Sequence, residues 1–163
     1  MKYIDTSLIV SALDPEDPSS TTSLKYLKEN GKVVSELVIG ELNSVMFRNS
    51  NFTNLLDTLS GDRITGSYAV IIYILQKFDL MYFPIEFNMI KTPVGRYSRI
   101  VAYAFELAEK IPMKTLDLLH LSYAHAMGVS SKSAIEFVTR DREFKTYQNQ
   151  ISEATGIKII CVN

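Results

Sequence analysis

Cysteine is nearly absent from this sequence: Cys161 is the only one. No disulfide can form within the chain, which suits a reducing compartment. A zinc site built on several thiolates is excluded as well. Cys161 falls in the strand-like stretch Lys158-Ile-Ile-Cys-Val and is expected to be a buried structural thiol, not a nucleophile. A long hydrophobic run is also lacking. The most apolar stretch, Tyr68-Ala-Val-Ile-Ile-Tyr-Ile-Leu, stops after eight residues at Gln76-Lys77, too short to span a bilayer. No secretory apolar segment opens the chain, because Asp5 interrupts it at once. These absences predict a cytoplasmic protein. Charge of one sign is missing too: 17 Lys+Arg stand against 18 Asp+Glu, so bulk charge carries no nucleic-acid signal. No repeat, low-complexity tract or linker divides the chain, and residues 1–163 are expected to form one domain. Its 47% hydrophobic and 21% charged fractions are those of an ordinary soluble globular protein.

What is present is an alternation of short strands and helices. Strands are predicted at 2–4, 33–34, 80–85, 135–139 and 158–162, and helices near 6–13, 20–29, 35–48, 62–78, 97–110, 115–127 and 141–149. Strands separated by helices need crossover connections, hence a mainly parallel sheet with helices on both faces. The punctuation agrees. Asp14-Pro15 and Asp17-Pro18 break the first helix, Asn30-Gly31 stops the second, Ser60-Gly61-Asp62 marks a turn, and Gly128 is expected to end the helix from Thr115. The apolar stripe of that helix is predicted to be Leu116, Leu119, Tyr123 and Met127. The Tyr68–Leu75 run is expected either in the core or at an interface.

Four acids stand in apolar surroundings. Asp5 ends the first strand, in Tyr3-Ile-Asp-Thr-Ser. Glu41 lies in the helical stretch Ser35-Glu-Leu-Val-Ile-Gly-Glu-Leu. Asp117 lies in Thr115-Leu-Asp-Leu-Leu-His-Leu-Ser-Tyr-Ala, and Asp141 follows a late strand in Val138-Thr-Arg-Asp. A carboxylate among apolar residues is costly unless it is paired or bound to a cation. Ligands of parallel α/β sheets bind beyond the strand C-ends, where Asp5 and Asp141 fall if their strands are neighbours. Each acid also has an ordinary reading. Asp117 in a first turn suits the helix dipole, Asp141 can cap a helix, Glu41 can face solvent, and an Asp after a first strand is common. Together they point to a hard-cation site for Mg²⁺ or Mn²⁺ and to phosphodiester hydrolysis. With those four set aside, 14 acids face 17 cations, a balance that would not repel a phosphate backbone.

These residues, in this order and at about this spacing, resemble the PIN-domain ribonuclease family over nearly the whole chain. The resemblance implies a three-layer α/β/α domain with a five-stranded, mainly parallel sheet, and Mg²⁺- or Mn²⁺-dependent cleavage of RNA. Carried over, Asp5, Glu41 and Asp117 would be the central metal ligands and Asp141 the fourth acid. Thr6, Ser7 and Thr139 would be supporting hydroxyls. Small members of the family include VapC-type toxins, which are dimeric and paired with a protein antitoxin; this chain differs from compact toxins in a longer 50–95 region. Other readings are an RNA-processing nuclease without an antitoxin and a non-catalytic RNA- or protein-binding module. A phospho-accepting domain would want adjacent acids after the first strand, which Asp5-Thr6-Ser7 does not offer. Arg96 and Arg99, read as opening one helix, and Arg140 and Arg142, beside the fourth acid, are candidate RNA-phosphate contacts. His120, three residues after Asp117, is assigned to packing or hydrogen bonding, and Asp14 and Asp17 to turn chemistry.

Overall fold

The computed structural model describes residues 1–49, 62–85 and 88–162. Of the expected turn at Ser60-Gly61-Asp62, the first two residues lie outside that range. Asp62 caps the following helix, its carboxylate accepting from the backbone N–H groups of Ile64 and Thr65.

Five strands form one sheet: β1 (Lys2–Ile4), β2 (Lys32–Val34), β3 (Met81–Tyr82), β6 (Glu136–Thr139) and β7 (Lys158–Cys161). Their order is β3-β2-β1-β6-β7, and every neighbouring pair is parallel. Past a charged first residue, the central strands carry apolar side chains on successive positions, as a strand covered on both faces must. Tyr3, Ile4, Val33, Val34, Phe137 and Val138 are all buried. Helices α1 (Thr6–Leu13), α2 (Ser20–Leu27), α3 (Glu36–Arg48), α4 (Arg63–Lys77), α5 (Arg99–Lys110), α6 (Thr115–Ser131), α7 (Arg142–Thr146) and α8 (Gln148–Thr155) flank this sheet. The architecture is the expected α/β fold with a five-stranded parallel sheet.

Four local expectations are corrected. Residues 97 and 98 are not helical: β4 (Met89–Thr92) and β5 (Gly95–Ser98) form an antiparallel hairpin outside the main sheet. The expected helix at 141–149 is two helices, α7 and α8, meeting at Tyr147. Gly128 does not end α6, which runs on until Lys132 turns left-handed at φ 52°. The glycine serves close packing instead. A Cβ there would lie 3.0 Å from Ile135 Cγ1 and 3.2 Å from the Ser133 carbonyl oxygen. Finally, α6 buries only part of the expected stripe Leu116, Leu119, Tyr123 and Met127: Tyr123 and Met127 are buried and Leu119 is half-buried. Leu116 is exposed, and the inward residues are Leu118, Leu121, Ala124 and Met127 with His120 and Tyr123. This helix is apolar on most sides, so periodicity alone could not choose its inner face.

The Tyr68–Leu75 run divides between two environments. Ile71 and Ile74 enter the core, while Tyr68, Ile72 and Tyr73 are exposed, with Ile64 one turn earlier on the stripe of Tyr68 and Ile72. Cys161 is half-buried in β7, and burial raises its thiol above the ordinary range.

Candidate metal centre

β1 and β6 are adjacent and parallel, so the residues that follow them share one rim of the sheet. Asp5 leaves β1 there and Asp141 leaves β6 two residues after its end. Helix α3 supplies Glu41, on the flank of its buried row Val38, Leu42 and Met46. Helix α6 supplies Asp117 in its first turn and His120 one turn later. All five line one cleft of about 430 Å³, with Thr6, Ser7, Asp17, Arg140 and Phe144 among its other walls.

Each of the two inner carboxylates is held by protein donors on one oxygen. Asp5, 7% exposed, accepts through Oδ2 from the hydroxyls of Thr139 at 2.6 Å and Ser7 at 2.5 Å. Its Oδ1 lies 3.8 Å from His120 Nε2 and accepts no hydrogen bond among the described residues. Glu41 accepts through Oε2 from the Thr6 hydroxyl and from His120 Nε2 at 2.9 Å. Oε1 of Glu41 has no donor among the described residues. Burial pushes the Glu41 carboxyl up, but the hydrogen bond and charge of His120 and the bond from Thr6 outweigh it and leave it below the usual range. Two anchored carboxylates, each with one oxygen left over, form an arrangement suited to a hard cation.

Asp117 differs from both. Its Oδ2 is buried and, among the described residues, has no hydrogen-bond partner. Burial raises its pKa, and the charges of Asp141 and then Glu143 raise it further. A buried acceptor without a donor is costly, and a cation or its water would satisfy it. Asp117 nevertheless stands apart from the tightest cluster. Among the described residues, only Asp5, Glu41 and His120 form a group whose candidate ligand atoms all lie within 4.8 Å of one another. Asp141 caps α7, its Oδ1 accepting from the Glu143 N–H at 2.8 Å. It also lines the cleft, so the capping role and the site role coincide.

His120 lies at the centre, 2% exposed. Its packing and hydrogen bonding are as the sequence suggests, but they occur inside the site. Nδ1 lies 2.9 Å from the Tyr3 hydroxyl, which lies 2.8 Å from Ser35 Oγ. The Tyr3 ring stacks on Phe137 with centroids 5.1 Å apart. Burial pushes the Tyr3 hydroxyl well above its ordinary value, so it remains protonated. Sequence reasoning missed Tyr3 and Ser35; the one available hint was that Asp117 and His120 share a helix face at three-residue spacing.

The arginines separate. Arg140 lines the cleft; its guanidinium pairs with Asp17 through Nη1. Its Nε is buried without a hydrogen-bond partner among the described residues. Asp17 makes the expected turn bond, accepting from the Ser19 N–H at 2.8 Å, but also holds Arg140 at the site. Arg142 opens α7 and is exposed outside the cleft lining. Arg96 and Arg99 do not open one helix together. Arg96 is exposed on β5, Arg99 begins α5, and neither lines the cleft. A second, apolar groove of about 400 Å³ lies between α1, α3 and α4, with Leu13, Leu42, Met46 and Ile74 among its walls. Val10 and Val45 line both it and the acidic cleft, so the two adjoin.

Comparison with known proteins bears on the fold and the family. No curated protein is a significant match to the sequence. Among solved structures, VapBC2 from Rickettsia felis bound to a promoter DNA fragment is similar over 100% of both chains, at 18% identity and a TM-score of 0.57. VapBC-1 from nontypeable Haemophilus influenzae is similar over 99% of this chain and 98% of its own, at 16% identity and a TM-score of 0.56. DNA-bound VapBC from Salmonella typhimurium covers the same shares at 10% identity and a TM-score of 0.54. At such identities the likeness is one of fold. The PIN-domain family model matches residues 2–149, and the chain belongs to the PIN-domain family.

Proposed function

We propose that this protein is a Mg²⁺- or Mn²⁺-dependent ribonuclease of the VapC toxin kind, acting in the cytoplasm and restrained by a protein antitoxin. PIN domains are generally nucleases, and the structural neighbours are VapBC proteins. The observation that carries the reading is the donor set of the cleft. Asp5 and Glu41 each keep one oxygen unclaimed, and Asp117 Oδ2 is buried without a partner in the same cleft. Asp5, Glu41 and Asp117 would hold the ion, with Asp141 at the rim. A bound divalent ion would supply an activated water and countercharge for a scissile phosphate.

The chain's own residues would do the rest. Thr139 and Ser7 keep Asp5 turned toward the cleft, and Thr6 does the same for Glu41. Arg140 sits where an RNA phosphate would approach and can exchange Asp17 for it. Arg142, Arg96 and Arg99 remain candidates for contacts with RNA lying beyond the cleft. The groove beside the acidic cleft would take an antitoxin segment, and the exposed stripe of α4 would serve a homodimer.

The test is Mn²⁺-dependent cleavage of a mixed pool of single-stranded RNAs, with EDTA as control. Asp5→Asn should keep the fold and lower cleavage by at least about a hundredfold, the scale of losing a group that acts in the transition state. Equal cleavage by wild type and Asp5→Asn would place the activity elsewhere. Metal binding with no cleavage of a broad pool would favour an RNA- or protein-binding module.

A further inference from the structure

The hydrogen bonds beneath the metal centre form a closed path. It starts at Ser35, the N-cap of α3, whose Oγ accepts from the Val38 N–H at 3.4 Å. It passes to Tyr3 on β1 at 2.8 Å, then to His120 on α6 at 2.9 Å. From His120 Nε2 it returns to α3 at Glu41, again at 2.9 Å. Ser35, Tyr3 and His120 are all buried, at 0%, 0% and 2% exposure.

The direction of each bond follows from its donors. As a carboxylate Glu41 can only accept, which puts a proton on His120 Nε2. In a neutral imidazole Nδ1 then accepts from the Tyr3 hydroxyl, Ser35 donates to Tyr3, and the Val38 N–H donates to Ser35. Every buried group in the path is satisfied once, with none left over. His120 Nε2 therefore has no lone pair to offer a cation while it holds Glu41.

The path also joins the three elements that carry the inner acids. Tyr3 stands two residues before Asp5 on β1. His120 stands three after Asp117 on α6, and Ser35 six before Glu41 at the start of α3. Both ends of the path lie on α3, so it fixes the rotation of that helix about its axis as well as its distance from β1. A second tie acts on the same helix. Glu36 accepts from Tyr123 of α6 at 2.6 Å and from Tyr82 of β3 at 3.3 Å.

We propose that Ser35, Tyr3 and His120 are positioning residues of the metal centre, a buried relay that sets Asp5, Glu41 and Asp117 in register for one ion. This rests on the metal-nuclease reading. A single hydroxyl in the core then governs a surface property, the affinity for the ion. His120 acts through Glu41 and does not touch the ion.

The experiment is Mn²⁺ titration of wild type, Tyr3→Phe, His120→Gln and His120→Leu by electron paramagnetic resonance, with melting curves in EDTA for each. Tyr3→Phe keeps the ring stacked on Phe137 and removes only the hydroxyl. It should bind Mn²⁺ about tenfold more weakly, the low end for losing a partner of a metal ligand. His120→Gln, whose amide can donate in place of Nε2–H, should bind close to wild type. His120→Leu should lose at least as much affinity as Tyr3→Phe. Should His120→Leu not fold, Tyr3→Phe and His120→Gln still decide the matter. Wild-type affinity in Tyr3→Phe overturns the relay while leaving the nuclease reading intact. Nitrogen coupling from a directly bound imidazole in the wild-type Mn²⁺ spectrum also overturns it, because His120 would then be a ligand. Wild type that binds no Mn²⁺ overturns both.

Discussion

Asp117 sits in surroundings that do not suit its charge. Burial first, and Asp141 and Glu143 next, raise its pKa, and no donor answers its buried oxygen. The folded protein thus holds this proton at a pH where the unfolded chain has released it. Stability from this residue falls as pH rises from the ordinary aspartate range through the raised value, and above it the cost is fully present. Glu41 works in the opposite sense. Its lowered pKa contributes stability above the unfolded value, which is lost as pH falls through the folded one. Asp117→Asn should therefore raise the melting temperature of metal-free protein at pH 7 and lose that advantage near pH 3. It should also weaken Mn²⁺ binding about 10- to 100-fold, the 1.5–3 kcal/mol typical of a charged hydrogen-bonding contact. Melts in EDTA at both pH values, with a Mn²⁺ titration, check both parts; a lower melting temperature at pH 7 would make this carboxylate a structural group. At this scale the four acids were legible because charge inside apolar sequence needs a reason. Tyr3 and Ser35 were not, because a Tyr in a buried strand and a Ser before a helix are ordinary by themselves. Their importance comes from a partner more than 30 residues away.

Helices α6 and α4 show what periodicity can and cannot tell. Where a helix has one apolar face, the sequence gives its orientation; α6 is apolar nearly all round, and its inner face was set by packing against the sheet. Gly128 makes the same point. It looked like a stop signal, yet it lies within α6 and its missing Cβ makes room for Ile135 at the entry to β6. Gly128→Ala forces a contact with a backbone carbonyl that cannot yield easily, so it should destabilise by about 1–3 kcal/mol despite alanine's better helix propensity. Denaturant melts would measure this, and a stabilised variant would show that the loop gives way. The hairpin β4–β5 was unread because two four-residue strands carry too little alternation to outweigh the helical pattern that follows. On α4 the exposed stripe Ile64, Tyr68 and Ile72 repeats every four residues, beside the row by which Ile71 and Ile74 enter the core. If it meets a second copy or an antitoxin, Ile72→Asp should weaken that association at least about thirtyfold, the loss of one interface anchor of about 2 kcal/mol. Fold stability should scarcely change. Sedimentation at micromolar concentration reads the result, and a wild-type monomer that also ignores a candidate antitoxin would remove the interface.

At the scale of the whole molecule, the alternation of strands and helices was enough to give a parallel sheet, and the adjacency of β1 and β6 puts Asp5 and Asp141 on one rim. What could not be read was how closely the acids approach, because that depends on the tilt and rotation of α3 and α6 over the sheet. The consequence is a linkage between folding and metal. Asp5, Glu41 and Asp117 come from β1, α3 and α6, so an ion joining them would tie together parts of the chain more than a hundred residues apart. Such an ion binds only the folded arrangement and should stabilise the molecule globally. At a Mn²⁺ concentration a hundred times the dissociation constant the gain is about 2.7 kcal/mol. For a chain of this length that is roughly 5–10 °C in melting temperature. The gain should vanish in Asp5→Asn, whose metal-free melting temperature should be no lower than that of wild type. Amide exchange should then slow in β1, in α3 near Glu41 and in the first turns of α6 together, not in one of them alone. Added protection confined to α7 would mean that the ion sits at Asp141 and the rim. Millimolar Mn²⁺ that leaves both melting and exchange unchanged would leave the buried oxygen of Asp117 without its partner and the metal reading without support.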